Sequence, residues 1–231
     1  MRVEIWSDVV CPWCAIGKRR FEAALARFAH RDDIDVVWRS FELDPTAPQS
    51  TDPTAPRSID PSATQRLADK YGVSLDQARA MERRVTDAAA AEGLDFRYDL
   101  ARPGNTADAH RVLHLAADRG VQSAVKERLL RAYFTEGAPV ADRPTLARLA
   151  AEAGLDAGET ARMLDSDDYL ADVRADEAEA RALGIHGVPF FVVDRRYGVS
   201  GAQPAEVLLQ VLERAWTEAQ PPAVGAGTGT G

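Results

Sequence analysis

Hydrophobic and polar positions alternate at the start of the chain. Val3 and Ile5 stand between polar neighbours from Arg2 to Ser7, which is the period of a half-buried strand. After Cys11 the period changes. Ile16, Phe21, Leu25 and Phe28 recur at helical spacing and predict a helix running to about Ala29. Asp35-Val36-Val37-Trp38-Arg39-Ser40-Phe41 is dense in β-branched and aromatic residues and predicts a second strand. A strand, a helix and a strand in so short a stretch make a βαβ unit, whose two strands should lie parallel.

The pattern then breaks. Residues 44–61 carry Pro45, Pro48, Pro53, Pro56 and Pro61 among Ser, Thr and Asp, and predict an extended hinge. From about 62 to 183 the spacing predicts six or seven short helices. Ser62-Ala63-Thr64-Gln65 and Ser74-Leu75-Asp76-Gln77 have the capping-box form, in which hydroxyl and amide close two free N–H groups. Asn105 ahead of Asp108, Asp142 before Pro144, and Asp156 before Glu159 mark three more starts. Gly72, Gly93, Gly120, Gly137, Gly154 and Gly184 stand where these helices should stop. Strand character returns at Phe190-Phe191-Val192-Val193-Asp194 and Tyr197-Gly198-Val199-Ser200, a hairpin closed by Arg195-Arg196. A last helix opens at Gln203-Pro204-Ala205-Glu206, with Pro204 at its first position, and runs to about Ala219. Val207, Leu208, Val211, Leu212 and Trp216 give it one apolar face.

The organisation read from this is one α/β unit built from 1–43 and 184–219. It is interrupted by 44–183, a Pro-rich hinge plus an inserted helical subdomain. Residues 220–231, all Gln, Pro, Ala, Val, Gly and Thr, read as a disordered tail. Tyr71, Trp38, Trp216 and Ala132-Tyr133-Phe134 fall at core positions. The acidic series Asp165, Asp167, Asp168, Asp172, Asp176, Glu177 and Glu179 reads as a solvated helix face.

Composition narrows the function classes. The 231 residues are 45% hydrophobic and 28% charged, an ordinary globular balance. With 36 acidic against 28 basic residues, the net charge of -8 repels phosphate backbones and anionic lipids, so neither nucleic acid nor membrane is an expected partner. No run approaches the ~20 apolar residues of a membrane span. The opening residues carry Glu4 and Asp8 and reach Cys11 before an apolar signal core could form, so the expected location is cytoplasmic. Two cysteines in that compartment point to chemistry or metal binding in preference to a structural staple.

Those two are Cys11 and Cys14, in Cys11-Pro12-Trp13-Cys14, between a strand and a helix with Pro12 as a natural first helical residue. Free N–H groups and the helix dipole favour negative charge there, and hence the thiolate of Cys11. Cys14, one turn further in, is placed to resolve a mixed disulfide formed on Cys11. Pro12 and Trp13 tune the pair. Other readings of a C-x-x-C stand beside this one: half of a zinc site completed by His110 and His114, at i and i+4 on one helix, or two inert buried thiols. A second feature is Gly187-Val188-Pro189, directly ahead of a strand, where proline cannot join the ladder. A cis Val188–Pro189 bond would turn the Val188 backbone toward an extended peptide across the site, whereas a trans bond would be an ordinary strand edge.

Taken in order, strand, Cys11-Pro12-Trp13-Cys14, strand, helical insertion, Gly187-Val188-Pro189-Phe190, hairpin and terminal helix, the chain resembles the DsbA family of thioredoxin-like proteins. It is most similar to the cytoplasmic FrnE-like branch, over about residues 2–218. Asn105-Thr106 with Ala109-His110-Arg111, Ala132-Tyr133-Phe134 and Val199-Ser200-Gly201-Ala202-Gln203 extend the match. The resemblance implies an α/β thioredoxin fold with a large all-helical insertion. It also implies a nucleophilic Cys11, a resolving Cys14, and Val188 beside a cis Pro189 in contact with substrate. Periplasmic relatives usually carry His between the cysteines, and Trp13 in its place implies a less oxidising couple.

The activity expected is a thiol–disulfide oxidoreductase acting on protein or small-molecule disulfides. It needs no metal and no cofactor beyond the Cys11–Cys14 couple, with glutathione as a candidate co-substrate. The alternative is the glutathione-dependent hydroxychromene-carboxylate isomerase and kappa-class transferase group, which shares the fold but resembles a Ser-centred site. Asn105 and His110 fall where that branch builds its groove and are candidate substrate contacts, although Asn105 also reads as a helix cap and His110 as a helix-face residue. A third reading is a non-catalytic holdase using the groove beside Pro189.

Overall fold

The alternation at the chain start becomes β1 (Arg2–Ser7), and the computed structural model, which describes residues 1–48 and 63–220, places it at the centre of a sheet. The middle of the Pro-rich hinge, the Ser62 capping box and the predicted tail from 221 onward lie outside the described residues. β1 runs parallel to β2 (Asp35–Ser40), Ile5 opposite Trp38, and antiparallel to β3 (Phe190–Val193), Ile5 opposite Phe191. β4 (Tyr197–Ser200) completes the order β2-β1-β3-β4. The hairpin turn is Asp194-Arg195 instead of the expected Arg195-Arg196: both have positive φ, 47° and 56°, and the Arg196 N–H closes back on the Val193 carbonyl at 3.0 Å. Two such residues match the right-handed twist of the strands they join.

Period two sorts the sheet into faces. Val3, Ile5, Phe191 and Val193 face α1 (Pro12–Arg27) and α9 (Ala205–Ala219), which contribute Phe21, Ala24, Leu208 and Leu212, joined by Phe28 at the C-cap of α1. Trp6 and Val192 face the other way, onto Ala180 and Ile185. Pro204, expected at the first helical position, is instead the N-cap of α9, one place ahead of its first helical residue Ala205.

Seven helices fill the insertion among the described residues: α2 (Ala63–Tyr71), α3 (Leu75–Ala91), α4 (Ala107–Asp118), α5 (Gln122–Phe134), α6 (Arg143–Glu152), α7 (Ala157–Asp165) and α8 (Leu170–Ala182). The Ser74–Gln77 box forms with both bonds present, and Asp142 and Asp156 accept from the N–H groups of Thr145 and Glu159. Glycine ends the helices as expected. At Gly137 the reason is plain, since φ is 65° and a Cβ would lie 2.5 Å from the Leu100 carbonyl oxygen. Val112, Leu129, Leu146, Leu149 and Phe134 form the core of this layer, which Ala15 and Ile16 of α1 join.

The helical layer also closes one edge of the sheet. The Gln122 side chain accepts from the Trp38 N–H and donates to the Trp38 carbonyl, both at 2.9 Å, occupying the two groups a fifth strand would have used. Asp176 continues the seal, accepting from the Ser40 N–H at 2.8 Å, pairing with Arg39 at 3.0 Å and standing 3.2 Å from His114. Its own carbonyl accepts from the Trp6 indole at 2.9 Å. The acidic series is therefore not uniformly solvated. Val173, Asp176 and Ala180 share the inward stripe of α8, and the acid on that stripe is buried. Tyr71 also departs from expectation and is exposed at the end of α2. Trp38 and the Ala132–Phe134 segment are buried as expected, while Trp216 is partly buried against Phe28.

Candidate active site

Cys11 is the N-cap of α1, in extended conformation, and Pro12 occupies the first helical place where no N–H is needed. The Cys11 carbonyl accepts from the N–H of Cys14 at 3.0 Å and of Ala15 at 3.3 Å, which fixes the turn carrying both sulfurs. Both are free thiols, Cys11 4% and Cys14 1% exposed. Trp13 between them is half-buried against the helical core. Burial pushes the Cys14 thiol well above its ordinary value and neighbouring Cys11 adds to that push; Lys126 and the Asp8 N–H act in the opposite sense.

The second predicted feature meets the first. The Val188–Pro189 peptide is cis, and the Cys11 thiol donates to the Val188 carbonyl oxygen at 3.5 Å across 177 positions of sequence. In the dithiol form that carbonyl is thus taken up by Cys11 and not turned out for a peptide. The Pro189 carbonyl accepts from Gly201 at 2.8 Å, so the Val199–Gln203 stretch braces it from behind. Its ring rests on α1 at Gly17, where a Cβ would stand 2.8 Å from Pro189 Cγ and 3.5 Å from Ala202 Cβ. Gly17 gave the sequence reading no cap or turn to explain it. An unexplained glycine in mid-helix was the available signal of a close approach.

Beneath the cysteines lie groups that the sequence reading missed. Asp8, fully buried just past β1, accepts from the Leu43 N–H at 2.8 Å and stands 3.4 Å from His110 Nε2. Burial works to raise the Asp8 carboxyl, but His110, the Leu43 N–H and Lys126 outweigh it and hold it below the ordinary carboxylate value. Lys126 of α5 is completely buried, with its Nζ 3.5 Å from the Ser7 carbonyl and 5.6 Å from the centre of the Trp38 ring. The chain has three lysines in all, and this one has Leu129 and Leu130 one turn further along its side of α5, which was the only signal available.

Asn105 and His110 are both buried and turned inward. Asn105 Oδ1 accepts from the Ala107 N–H, and its amide donates to Glu42 at 3.1 Å and to the Pro45 carbonyl at 3.3 Å, tying the hinge's start to α4, while Thr106 takes the N-cap place. His110 lies beside Asp8, and its ring nitrogens make no hydrogen bond. His114 turns to Ser40 and Asp176. The two histidines do not close on the cysteines as a donor set; among the described residues no three His, Cys, Asp or Glu side chains stand together as a metal site would need. No helix among the described residues is long and apolar enough to cross a membrane.

Residues 2–213 match the family model of the DSBA-like thioredoxin domain. The fold is similar to that of the probable DsbA oxidoreductase SCO1869 from Streptomyces coelicolor, 49% identical, with a TM-score of 0.85 over 96% of this chain and 92% of that one. It is also similar to the cytosolic disulfide reductase DsbM from Pseudomonas aeruginosa, solved with GSH, at 21% identity and a TM-score of 0.62 over 94% and 100% of the two chains. The uncharacterized protein YwbO of Bacillus subtilis (strain 168) is 28% identical over 174 residues, 73% of this chain and 74% of its own.

Proposed function

The chain belongs to the DSBA-like thioredoxin domain family, and from that premise we propose a thiol–disulfide oxidoreductase in which Cys11 is the nucleophile and Cys14 the resolving thiol. The observation that carries this reading is the contact of Cys11 with Val188, which brings the two specific sequence features to one point. A buried thiol at a helix start, fronted by a Val-Pro wall, is suited to disulfide exchange.

Cys11, as thiolate, attacks one sulfur of a substrate disulfide and expels the other as a thiolate. Cys14 then attacks Cys11 Sγ, the substrate's remaining sulfur leaves with its electron pair, and a Cys11–Cys14 disulfide remains. The substrate gains two electrons and the pair loses two; in reverse the same steps oxidise a dithiol. Pro12 shapes the turn, Trp13 offers an indole in place of an ionisable group and so favours a moderate couple, and Val188 and Pro189 form the wall beside the attacked sulfur. Glutathione is the co-substrate in this reading, protein or small-molecule disulfides are the substrates, and the protein belongs to the FrnE-like branch and works in the cytoplasm. The acidic surface supports the exclusion of nucleic acid and anionic membrane as partners.

Insulin-disulfide reduction tests the assignment. Cys11→Ser should abolish it and Cys14→Ser should accumulate mixed disulfides. Full activity in the Cys11→Ser protein would refute it. Saturable glutathione binding that survives loss of both thiols would instead favour the isomerase or transferase alternative.

A further inference from the structure

The wall beside Cys11 is held from behind, and the hold runs from bond to bond. Pro189 gives its carbonyl to the Gly201 N–H at 2.8 Å, and Gly201, at a φ of 80°, turns the chain back toward α1. The turn ties itself: the Gln203 N–H donates to the Gly201 carbonyl and the Gln203 side chain to the Ser200 carbonyl, both at 2.9 Å. Ala202 lies on α1, its Cβ 3.5 Å from the place a Gly17 Cβ would take. Arg20 fastens it there, donating from Nη1 to the Ala202 carbonyl at 2.7 Å. Gly17 and Arg20 are three residues apart and so share a side of the helix. One leaves room for the wall and the other grips its brace.

The same guanidinium is held in its turn. Arg20 Nε donates to Glu92 Oε1 at 2.6 Å, and both side chains are mostly buried. Glu92 is the C-cap of α3, the end of a helix at which the dipole favours a cation and opposes an acid. Capping therefore gives no reason for a carboxylate in that place, whereas the Arg20 charge does. The planar fork holds both acceptors at once from two different nitrogens, which an ammonium on a flexible stem does not reproduce. Because α3 belongs to the helical insertion, the line Glu92, Arg20, Ala202, Gly201, Pro189 runs from the insertion to the neighbour of Val188, whose carbonyl takes the Cys11 thiol.

We propose that Arg20 is a positioning residue for disulfide exchange: anchored by Glu92, it fixes the Ser200–Gln203 turn and, through that turn, the depth of the Val188–Pro189 wall over Cys11. The inference rests on the disulfide-exchange reading and adds a residue to it. Arg20 touches neither substrate nor sulfur. A polypeptide disulfide, whose backbone must lie along the wall while its sulfur meets Cys11, depends on that depth. A small aromatic disulfide has no backbone to align and needs only the Cys11 sulfur.

The test compares single-turnover reduction of a disulfide-closed peptide by the full reduced chain with the first release of nitrothiolate from 5,5′-dithiobis(2-nitrobenzoate). Arg20→Met should lower the second-order rate constant with the peptide on the order of 10- to 100-fold, the scale of a misplacement of about 1 Å, and change the small-disulfide rate far less. Arg20→Lys should stay impaired, since it keeps the charge and loses the fork. Glu92→Ala should show the same split between the two disulfides, and it leaves α1 untouched. A second readout needs no substrate. Val188–Pro189 is the only Val-Pro pair in the sequence, so ¹³C-carbonyl valine with ¹⁵N proline gives one correlation signal, from the carbonyl that accepts the Cys11 thiol. That signal should move in Arg20→Met and in Glu92→Ala.

Four results would each overturn the proposal: an unchanged peptide rate in folded Arg20→Met, an equal loss with both disulfides, full recovery in Arg20→Lys, or a Val188 signal that stays in place in both variants. A merely structural arginine would lower the urea midpoint while the peptide rate and the Val188 signal of the folded protein stayed as in the natural chain. If Arg20→Met does not fold, Glu92→Ala carries the same comparisons. Failure of the underlying reading looks different, since the natural chain would then leave the peptide disulfide intact.

Discussion

Replacing Gly17 with Ala sets two effects of opposite sign against each other. Helix propensity alone favours the change, because Ala in a helix interior is better than Gly by about 1 kcal/mol. The added methyl, however, would stand 2.8 Å from Pro189 Cγ and 3.5 Å from Ala202 Cβ. Carbon atoms pack best at about 3.5–4.0 Å. The first contact is therefore too short by roughly an ångström, and Ala202 limits movement the other way. Nor is Pro189 the loose end of a flexible side chain: its carbonyl is bonded to Gly201, and its neighbour Val188 to Cys11. Overpacking of this kind costs about 1–3 kcal/mol. The net expectation is that Gly17→Ala loses about 1 kcal/mol where propensity alone promises a gain of that size. Urea unfolding reads the sign directly as a lower midpoint at unchanged slope. A raised midpoint would refute the claim that α1 and Pro189 are in limiting contact.

Gln122→Leu should strip both hydrogen bonds from Trp38 at the sheet edge, at a cost of about 1–3 kcal/mol for each group left dry and unpaired. Hydrogen exchange at the Trp38 amide should accelerate, and an unchanged rate would show that the edge is not held this way. Burial works to raise the Asp176 carboxyl, but His114, the Ser40 N–H and Arg39 outweigh it, so it lies below its ordinary value. Because the folded value is the lower one, its contribution to stability is present above the unfolded value of about 4 and is lost as pH falls through the folded value. Asp176→Asn should flatten the acid limb of a plot of melting temperature against pH; the same acid slope in the variant would count against the assignment.

Much of the frame was legible because it depends on local rules. Period two at Val3 and Ile5, the helical recurrence from Ile16 to Phe28, and the caps at Ser74, Asp142 and Asp156 are decided by neighbours in sequence. The cysteine pair was legible for the same reason, since a C-x-x-C opening a helix is a local arrangement. What periodicity cannot report is the identity of the partner across a face. Asp176 belongs to an acidic run in which Asp165, Asp167, Asp168 and Asp172 are exposed, and only the packing of α8 on β2 buries this one. Asn105 carried the right signal for a helix start, but its amide is drawn to Glu42 and Pro45, which no local rule anticipates. Lys126, which shares a helix side with Leu129 and Leu130, and Gly17, a glycine in mid-helix, were odd in their places, yet neither oddity says what stands opposite.

The meeting of Cys11 with Val188 also has a meaning in time. A chain is made from its N-terminus at about 5–20 residues per second, so the 177 positions between the two contacts correspond to roughly 9–35 s of synthesis. During that interval β1, α1 and β2 can assemble, and the helical layer after them, while the wall that covers the outer thiol has yet to be made. The emerging polypeptide thus presents a bare dithiol to whatever redox buffer surrounds the ribosome, and gains control over it only when β3 docks against β1. The cysteines of the reactive centre are thus synthesised well before the wall that completes it.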